Sequence, residues 1–300
     1  MVTKRSKKRE EKLVKAAVET GGSQTRDVVN AFMRHKISVV ALVVLVLILI
    51  AAVVSGFIFS EEQITAITAS ARLQPPSAEH WFGTDSFGRD VFARTIYGAR
   101  YSLFFGLTTA ALSLVIGTAI GSACAYLGGT FDIVVMRIMD SLVCIPSLLL
   151  MLALVAVIGR GMHGIIIALV VTSVPGTARI VRSIVIGVVQ NEYVEAARAA
   201  GVTTPQIIWR HVLPNAFGPI LVNVLMNISG SIISASSMSF LGMGIQPPTP
   251  EWGAMINDAL PLIRTAPYLI VFPGIAVLIT SLCFNLLGDG LTDSLDPHSR

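Results

Sequence analysis

Within HWFGTDSFGRD (His80 to Asp90), the side chains of His80, Asp85 and Asp90 are of types that hold divalent metals or relay protons. Metal ligation calls for a compact ligand spacing, which this stretch lacks, and no metal site is expected. A structural reading fits the same residues: Asp85 can cap the helix that follows, and Asp90 can pair with Arg94 one helical turn on. Asp85, Arg89 and Asp90 also form a candidate docking surface for another protein. The other chemistry-bearing residues are scattered. His35, His163, His211 and His298 each lie in or beside a tail or loop, and Cys124, Cys144 and Cys283 fit small buried thiols, without disulfide or zinc spacing. No Ser-His-Asp, Cys-His or paired-carboxylate arrangement is persuasive, so no catalytic residue is assigned. A phosphate-binding loop needs a lysine after a glycine-rich turn; every lysine here lies at or before Lys36 and none follows a glycine. The chain is not expected to hydrolyse ATP itself.

The elements that must position these groups are set by composition. The chain has 300 residues, 53% hydrophobic and 13% charged, with a mean hydropathy of +0.74. Soluble domains carry about a quarter charged residues, so this chain points to a bilayer as its solvent. No Asp, Glu, Lys or Arg occurs between Lys36 and Glu61, Arg100 and Asp132, Asp140 and Arg160, Arg160 and Arg179, Arg210 and Glu251, or Arg264 and Asp289. Each interval approaches or exceeds the roughly 20 residues that a membrane helix needs. The expected spans are Ser38 to Phe59, Ser102 to Tyr126, Ile138 to Ile158 bent at Pro146, Gly164 to Ile180 broken at Pro175-Gly176, one within Ala216 to Leu241, and Pro267 to Leu287. The fold class is all-α: a polytopic membrane protein with six transmembrane helices.

Residues 1–36 form a basic tail that ends in a candidate interfacial helix from Arg26, and 37–300 the transmembrane domain. The lysines and arginines of the tail place it in the cytoplasm, and six spans return the C-terminus to the same side. Residues 60–100 then form a long external loop. The tail reads as a solvated topology signal or as a patch for membrane lipid.

One segment breaks the apolar pattern. EYVEAARAAGVTTPQIIWRHVLPN, from Glu192 to Asn215, reads as two short polar helices inside 191–213. Asn191 is placed to cap the first, Glu192 and Glu195 suit its first turn, and Gly201 can end it in a left-handed turn. Thr204 can cap the second with Pro205 in its first turn, and the next span follows Pro214. A DNA-binding helix would expose Lys, Arg, Gln or Asn to bases, whereas this one carries Ile207, Ile208 and Trp209 between two spans. Nucleic acid is not an expected partner. An ordinary cytoplasmic loop and a docking surface of small side chains remain.

The pattern Glu195-Ala196-Ala197, three residues, Gly201, nine residues, then His211-Val212-Leu213-Pro214 resembles the EAA loop of ATP-binding-cassette importer permeases, with His where Ile is usual. HWFGTDSFGRDVFARTIYGARYSL, SFLGMGIQPPTPEWG and FNLLGDGLTDSLDP resemble the dipeptide/oligopeptide permease family, its second, C-type membrane subunit in particular. The resemblance runs from about residue 30 to the end. It implies the type I importer permease fold, with both termini cytoplasmic and the hairpin as a coupling helix seated on a separate ATPase. The coupling residues would be Glu195, Ala196, Ala197, Arg198, Gly201, Leu213 and Pro214. Implied partners are a homologous second permease, two ATP-binding subunits or domains that hold ATP and Mg, and an extracytoplasmic substrate-binding protein. This chain would bind no cofactor. The cargo would be a di- or oligopeptide, with glutathione and nickel chelates carried by relatives, and the location the inner membrane of a prokaryote.

Asn223, Asn227, Ser231 and Ser234 recur at helical spacing and share one face of the fifth span. They read equally as a lining of the translocation path, meeting peptide amides, and as small polar residues that let helices pack closely. Arg179 and Arg182 read as facing a water-filled cavity or as reaching the headgroups. A stand-alone channel or ion-coupled carrier is the alternative class, although no span has an ionisable residue near its centre.

Overall fold

The structure, a computed structural model, describes residues 28–295; most of the basic tail and the last five residues lie outside that range. Among the described residues the regular structure is helical, with one isolated bridge between Thr84 and Asp90. Residues 28–34 form a short helix, α1. α2 (Lys36–Ile58) follows directly and is 23 residues long, about 35 Å, enough to cross the apolar layer. His35 hydrogen-bonds Ser38, whose hydroxyl donates to the Leu286 carbonyl of the last helix at 2.6 Å, fastening α2 to that helix.

The loop after α2 is ordered by local bonds. Ser60 and Gln63 cap the short α3 (Glu61–Thr65) reciprocally. α4 (Val91–Leu127) has 37 residues and begins well before Ser102, the expected start of the second span. Its first turns carry Arg94, Tyr97 and Arg100 and are set by the cap at Asp90 rather than by hydropathy.

The third span is bent at Pro146, as expected, and its first arm begins before the expected Ile138. It is a broken pair, α5 (Gly129–Val143) and α6 (Ser147–Ile158), bent by 90°. Pro146 cannot continue α5, and α6 at 12 residues is too short to cross alone. Among the described residues, five helices are long and apolar enough to span, or six if the bent pair is one span.

α7 (Met162–Val189) runs unbroken through Pro175, against the expected break. Pro175 is buried and costs the helix only one hydrogen bond, and α7 packs against α4 along its length. That packing depends on Gly117 and Gly121 of α4: a methyl at Gly117 would lie 2.7 Å from Thr177 of α7, and one at Gly121 would enter the α7 backbone. After the hairpin helix α8 (Glu192–Ala199), a continuous 37-residue helix α9 (Thr204–Phe240) contains the fifth span. The connection beyond it contains α10 (Trp252–Ala259), wedged against α4, α9 and the last helix, α11 (Tyr268–Leu295). α11 extends past the expected Leu287 and is continuous through Pro273.

Candidate functional site

The hairpin stands on its own apolar base. Val194, Ile207 and Val212 are fully buried with Val181 and Val185 of α7 and with Ala216. Burying a valine or isoleucine is worth about 1.5–3 kcal/mol, so this base anchors a segment that is otherwise polar. Asn191 occupies the cap position of α8, but its side-chain amide donates backward to Val188 O at 2.9 Å, satisfying the end of α7 instead. Gly201 lies at φ +78°. Its N–H bonds Arg198 O and that of Val202 bonds Ala197 O, the paired pattern that closes a helix on a left-handed residue. A Cβ at Gly201 would meet nothing within 4 Å, so the requirement there is backbone conformation, not space.

Among the coupling residues expected from sequence, Glu195, Ala196, Arg198, Gly201 and Pro214 are exposed, whereas Ala197 and Leu213 are half-buried against the apolar base. Ala199 and Ala200 are exposed as well, so the outward surface is made of small side chains beside Glu192 and Glu195. The Arg198 guanidinium lies 5.2 Å over the Tyr126 ring and ties α8 to the end of α4.

The second helix of the hairpin differs from its expected form. Thr203, not Thr204, holds the cap position, with no side-chain cap bond, and the helix does not stop at Pro214. It passes into the fifth span through a widened turn over Ile208–Val212, closed by the bond from Leu213 N to Ile208 O. Pro214 lacks the N–H that a regular turn would use there, and the extra residue accommodates it. Above this turn, α4 and α9 leave an apolar groove of about 870 Å³, lined by Leu114, Thr118, Ile208, Trp209 and Phe217. Sequence patterning did not reveal it, because the two walls lie some ninety residues apart in the chain.

In the fifth span, Asn227 donates to Asn223 Oδ1 at 2.9 Å and to Thr177 Oγ1 of α7 at 3.3 Å. Ser231 is buried and Ser234 half-buried, so at least part of the stripe faces a neighbouring helix. Arg182 is bidentate to Asp132 of α5, with its Nε at 2.5 Å, and Arg179 pairs with Asp140. These two ion pairs fasten α5 to α7.

The loop before α4 also corrects its sequence reading. Asp90 caps α4 by accepting from Ala93 N at 2.8 Å; Asp85 does not. Asp85 accepts from the backbone of Phe87 and Arg89 and from Arg89 Nε at 2.6 Å. Arg94 turns to Asp85, not Asp90, and donates to the carbonyls of Ile64 and Pro248. Asp90 instead pairs with His80 at 2.8 Å, and among the described residues no cluster of three metal-ligating groups exists. Arg89 and Arg94 are buried, so most of the proposed docking charge is spent inside the loop.

Sequence reasoning passed over Glu251. It is fully buried, caps α10 by accepting from Ala254 N at 3.0 Å, and meets Ser102 of α4 and Ser236 of α9 at 3.2 and 3.3 Å. Burial pushes its carboxyl above the ordinary value of 4.5, favouring the neutral acid. Beside it Trp252 donates to the Thr95 carbonyl. The only sequence signal was a glutamate in a short connection between apolar spans.

Residues 113–300 match the family described as the binding-protein-dependent transport system inner membrane component, and residues 23–76 match the N-terminal transmembrane domain of oligopeptide transport permease C. The chain is 39% identical over 281 residues to the dipeptide transport system permease protein DppC of Alkalihalophilus pseudofirmus, covering 94% of this chain and 92% of that one. It is 42% identical over 269 residues to the glutathione transport system permease protein GsiD of Escherichia coli, covering 90% and 89%. Its fold resembles a chain of the inward-facing MetNI methionine ABC transporter, with a TM-score of 0.57 at 19% identity, over 68% of this chain and 98% of that one. The chain belongs to the inner membrane components of binding-protein-dependent transport systems.

Proposed function

We propose that this chain forms half of the translocation pathway for di- or oligopeptides in an ATP-driven importer and receives its driving force through the hairpin 191–213. The observation that carries the reading is a hairpin anchored by buried Val194, Ile207 and Val212 that presents Glu195, Ala196, Ala199, Ala200 and Gly201 outward. Small side chains let another protein's backbone approach closely, and the two glutamates give that surface a sign. The chain catalyses nothing; separate ATPase subunits carry ATP and Mg. A homologous permease supplies the other half of the path, with Asn223, Asn227, Ser231 and Ser234 along its lining, and an extracytoplasmic binding protein delivers cargo. Both termini and the hairpin lie in the cytoplasm. ATP binding draws the ATPases together, moves the paired hairpins and opens the path to alternate sides. Glutathione is the second reading, favoured by the 42% identity to a glutathione permease.

The test is purification of the intact complex in mild detergent, with cysteine placed at Glu195 and at Ala196. Cross-links from both positions to a nucleotide-hydrolysing subunit are expected. Uptake by this chain alone in liposomes, or cross-links only to external proteins, would defeat the reading. Ligand screening on the co-purified binding protein separates peptide from glutathione.

A further inference from the structure

In the fifth span the direction of the hydrogen bonds at Asn227 is fixed by a neighbour. Thr177 of α7 donates its hydroxyl proton to the Ser173 carbonyl, so its oxygen accepts, and the Asn227 atom that faces it is the nitrogen. The same nitrogen donates to Asn223 Oδ1 at 2.9 Å, which engages its second proton. Two amide atoms are left without a partner among the described residues: Oδ1 of Asn227, an acceptor, and Nδ2 of Asn223, a donor. Each is strengthened by the bonds behind it, because an amide that donates accepts better and one that accepts donates better. Both side chains are half-buried and lie near the middle of the charge-free stretch between Arg210 and Glu251. Unmet amide atoms are strongly disfavoured against hydrocarbon, so this face meets water or another polar molecule.

The face continues from Asn223 and Asn227 through Gly230 and Ser234, at spacings of four, three and four residues. Ser231 turns inward and is buried. Gly230 is exposed, and a Cβ there would meet nothing within 4 Å; the same holds for Gly176, which precedes Thr177 in α7. Neither glycine has a positive φ. Glycine inside a helix weakens it relative to alanine, and neither packing within this chain nor backbone conformation calls for it at these two positions. The room they leave beside the asparagine pair serves something outside this chain. A helix of a second permease has its backbone N–H and C=O groups bonded within itself, whereas an extended peptide carries both kinds free. In such a peptide the groups on one side recur every two residues, about 6.6 Å. Asn223 and Asn227 are one turn apart, about 6 Å along α9.

We infer that this pair is a site for the backbone of an extended peptide: Asn223 Nδ2 donates to a cargo carbonyl, and Asn227 Oδ1 accepts from a cargo N–H. The inference rests on the pathway reading given above and narrows it to cargo with a secondary amide, held by the group common to all peptides rather than by any side chain. Such a site passes peptides of different sequence and favours them over cargo without an amide N–H, such as a carboxylate chelate of nickel.

The test uses the full chain co-purified with its partner permease and ATPase subunits in detergent, without the binding protein, so that a peptide reaches the path directly. Ser234→Cys, in a chain whose exposed Cys144 is replaced by serine, is treated with a water-soluble thiol reagent, and labelling at position 234 is read by mass spectrometry. The cysteine should react, and millimolar trialanine should slow the reaction by about threefold or more. An analogue with ester oxygens in place of both peptide N–H groups should give no protection. Asn223→Asp removes the free donor and keeps the bond from Asn227, while Asn227→Ala removes the free acceptor; each should abolish the protection by trialanine. If Asn227→Ala unfolds early for want of its bond to α7, Asn223→Asp decides. A cysteine that does not react, as at a position covered by lipid or by the second permease, overturns the site. So does equal protection by the ester analogue, or protection unchanged in Asn223→Asp. None of these readouts involves the hairpin or transport: their failure leaves the cross-links expected from Glu195 and Ala196 in place, and failure of those cross-links leaves the protection in place.

Discussion

The indole Nε1 of Trp252 donates to the Thr95 carbonyl across 2.8 Å, joining α10 to α4 through residues 157 positions apart. Trp252 is 1% exposed. Trp252→Phe keeps most of the packing and removes the bond, a loss of about 0.5–1.5 kcal/mol. Trp252→Ala adds a cavity and should cost about 3–5 kcal/mol. Thermal unfolding of the purified chain in detergent should rank wild type, Phe and Ala in that order; an Ala variant as stable as the Phe variant would mean that α10 is not packed as described.

Glu251 gives stability a pH dependence of defined sign. Its carboxyl titrates higher in the fold than in the unfolded chain because burial disfavours the charge. The contribution is complete below the ordinary value of 4.5 and declines as pH rises above it towards the folded value. Wild type should therefore unfold at lower temperature at pH 8 than at pH 5, and Glu251→Gln should flatten that difference by a few °C, in order of magnitude. Identical pH profiles for the two proteins would count against the neutral acid.

Gly201→Asp tests the left-handed end of α8. The position is open, so the change adds about 1–2 kcal/mol of local backbone strain without a clash. It also sets a charge on the small-residue surface. The complex should remain in the membrane and hydrolyse ATP, while uptake falls at least tenfold relative to hydrolysis. Parallel assays of ATPase activity and uptake decide it, and coupled transport at the wild-type level would remove the hairpin from the mechanism.

The two pairs between α5 and α7 should differ in strength. Arg182 and Asp132 are mostly shielded, with side chains 31% and 13% exposed, whereas Arg179 and Asp140 are about half exposed. A double-mutant cycle with alanine should give about 1–3 kcal/mol of coupling for the first pair and less than about 1 kcal/mol for the second. Equal couplings would show that shielding does not separate them.

Features with a local cause were readable from the chain. The charge-free intervals foretold the membrane helices, and Gly201, placed after a run of alanines, foretold the end of α8. Features decided by distant partners were not. A bend was expected at Pro146 and a break at Pro175, yet only the first interrupts its helix, turning the chain by 90°, while the second lies within a continuous one. The difference lies in their surroundings: Pro175 is buried, while Pro146 is exposed at the edge of the bundle. Likewise Asp85 and Asp90 each stand near an arginine, but their partners are chosen by the fold of the loop. Arg94 bends toward Asp85 because the carbonyls of Ile64 and Pro248 await it there. No spacing rule contains that information.

α9 carries the hairpin's second arm at one end, and near the other Ser236, which touches Glu251. The helix is unbroken for 37 residues, about 55 Å, with its widened turn and its three prolines, Pro205, Pro214 and Pro219, in the first half. The hairpin's second arm and a partner of the buried Glu251 are thereby carried on a single spindle. Motion at Ile207 therefore passes the widened turn, Pro214 and Pro219 before it can reach the seat of Glu251, which makes that stretch the place where the two ends can be loosened from each other.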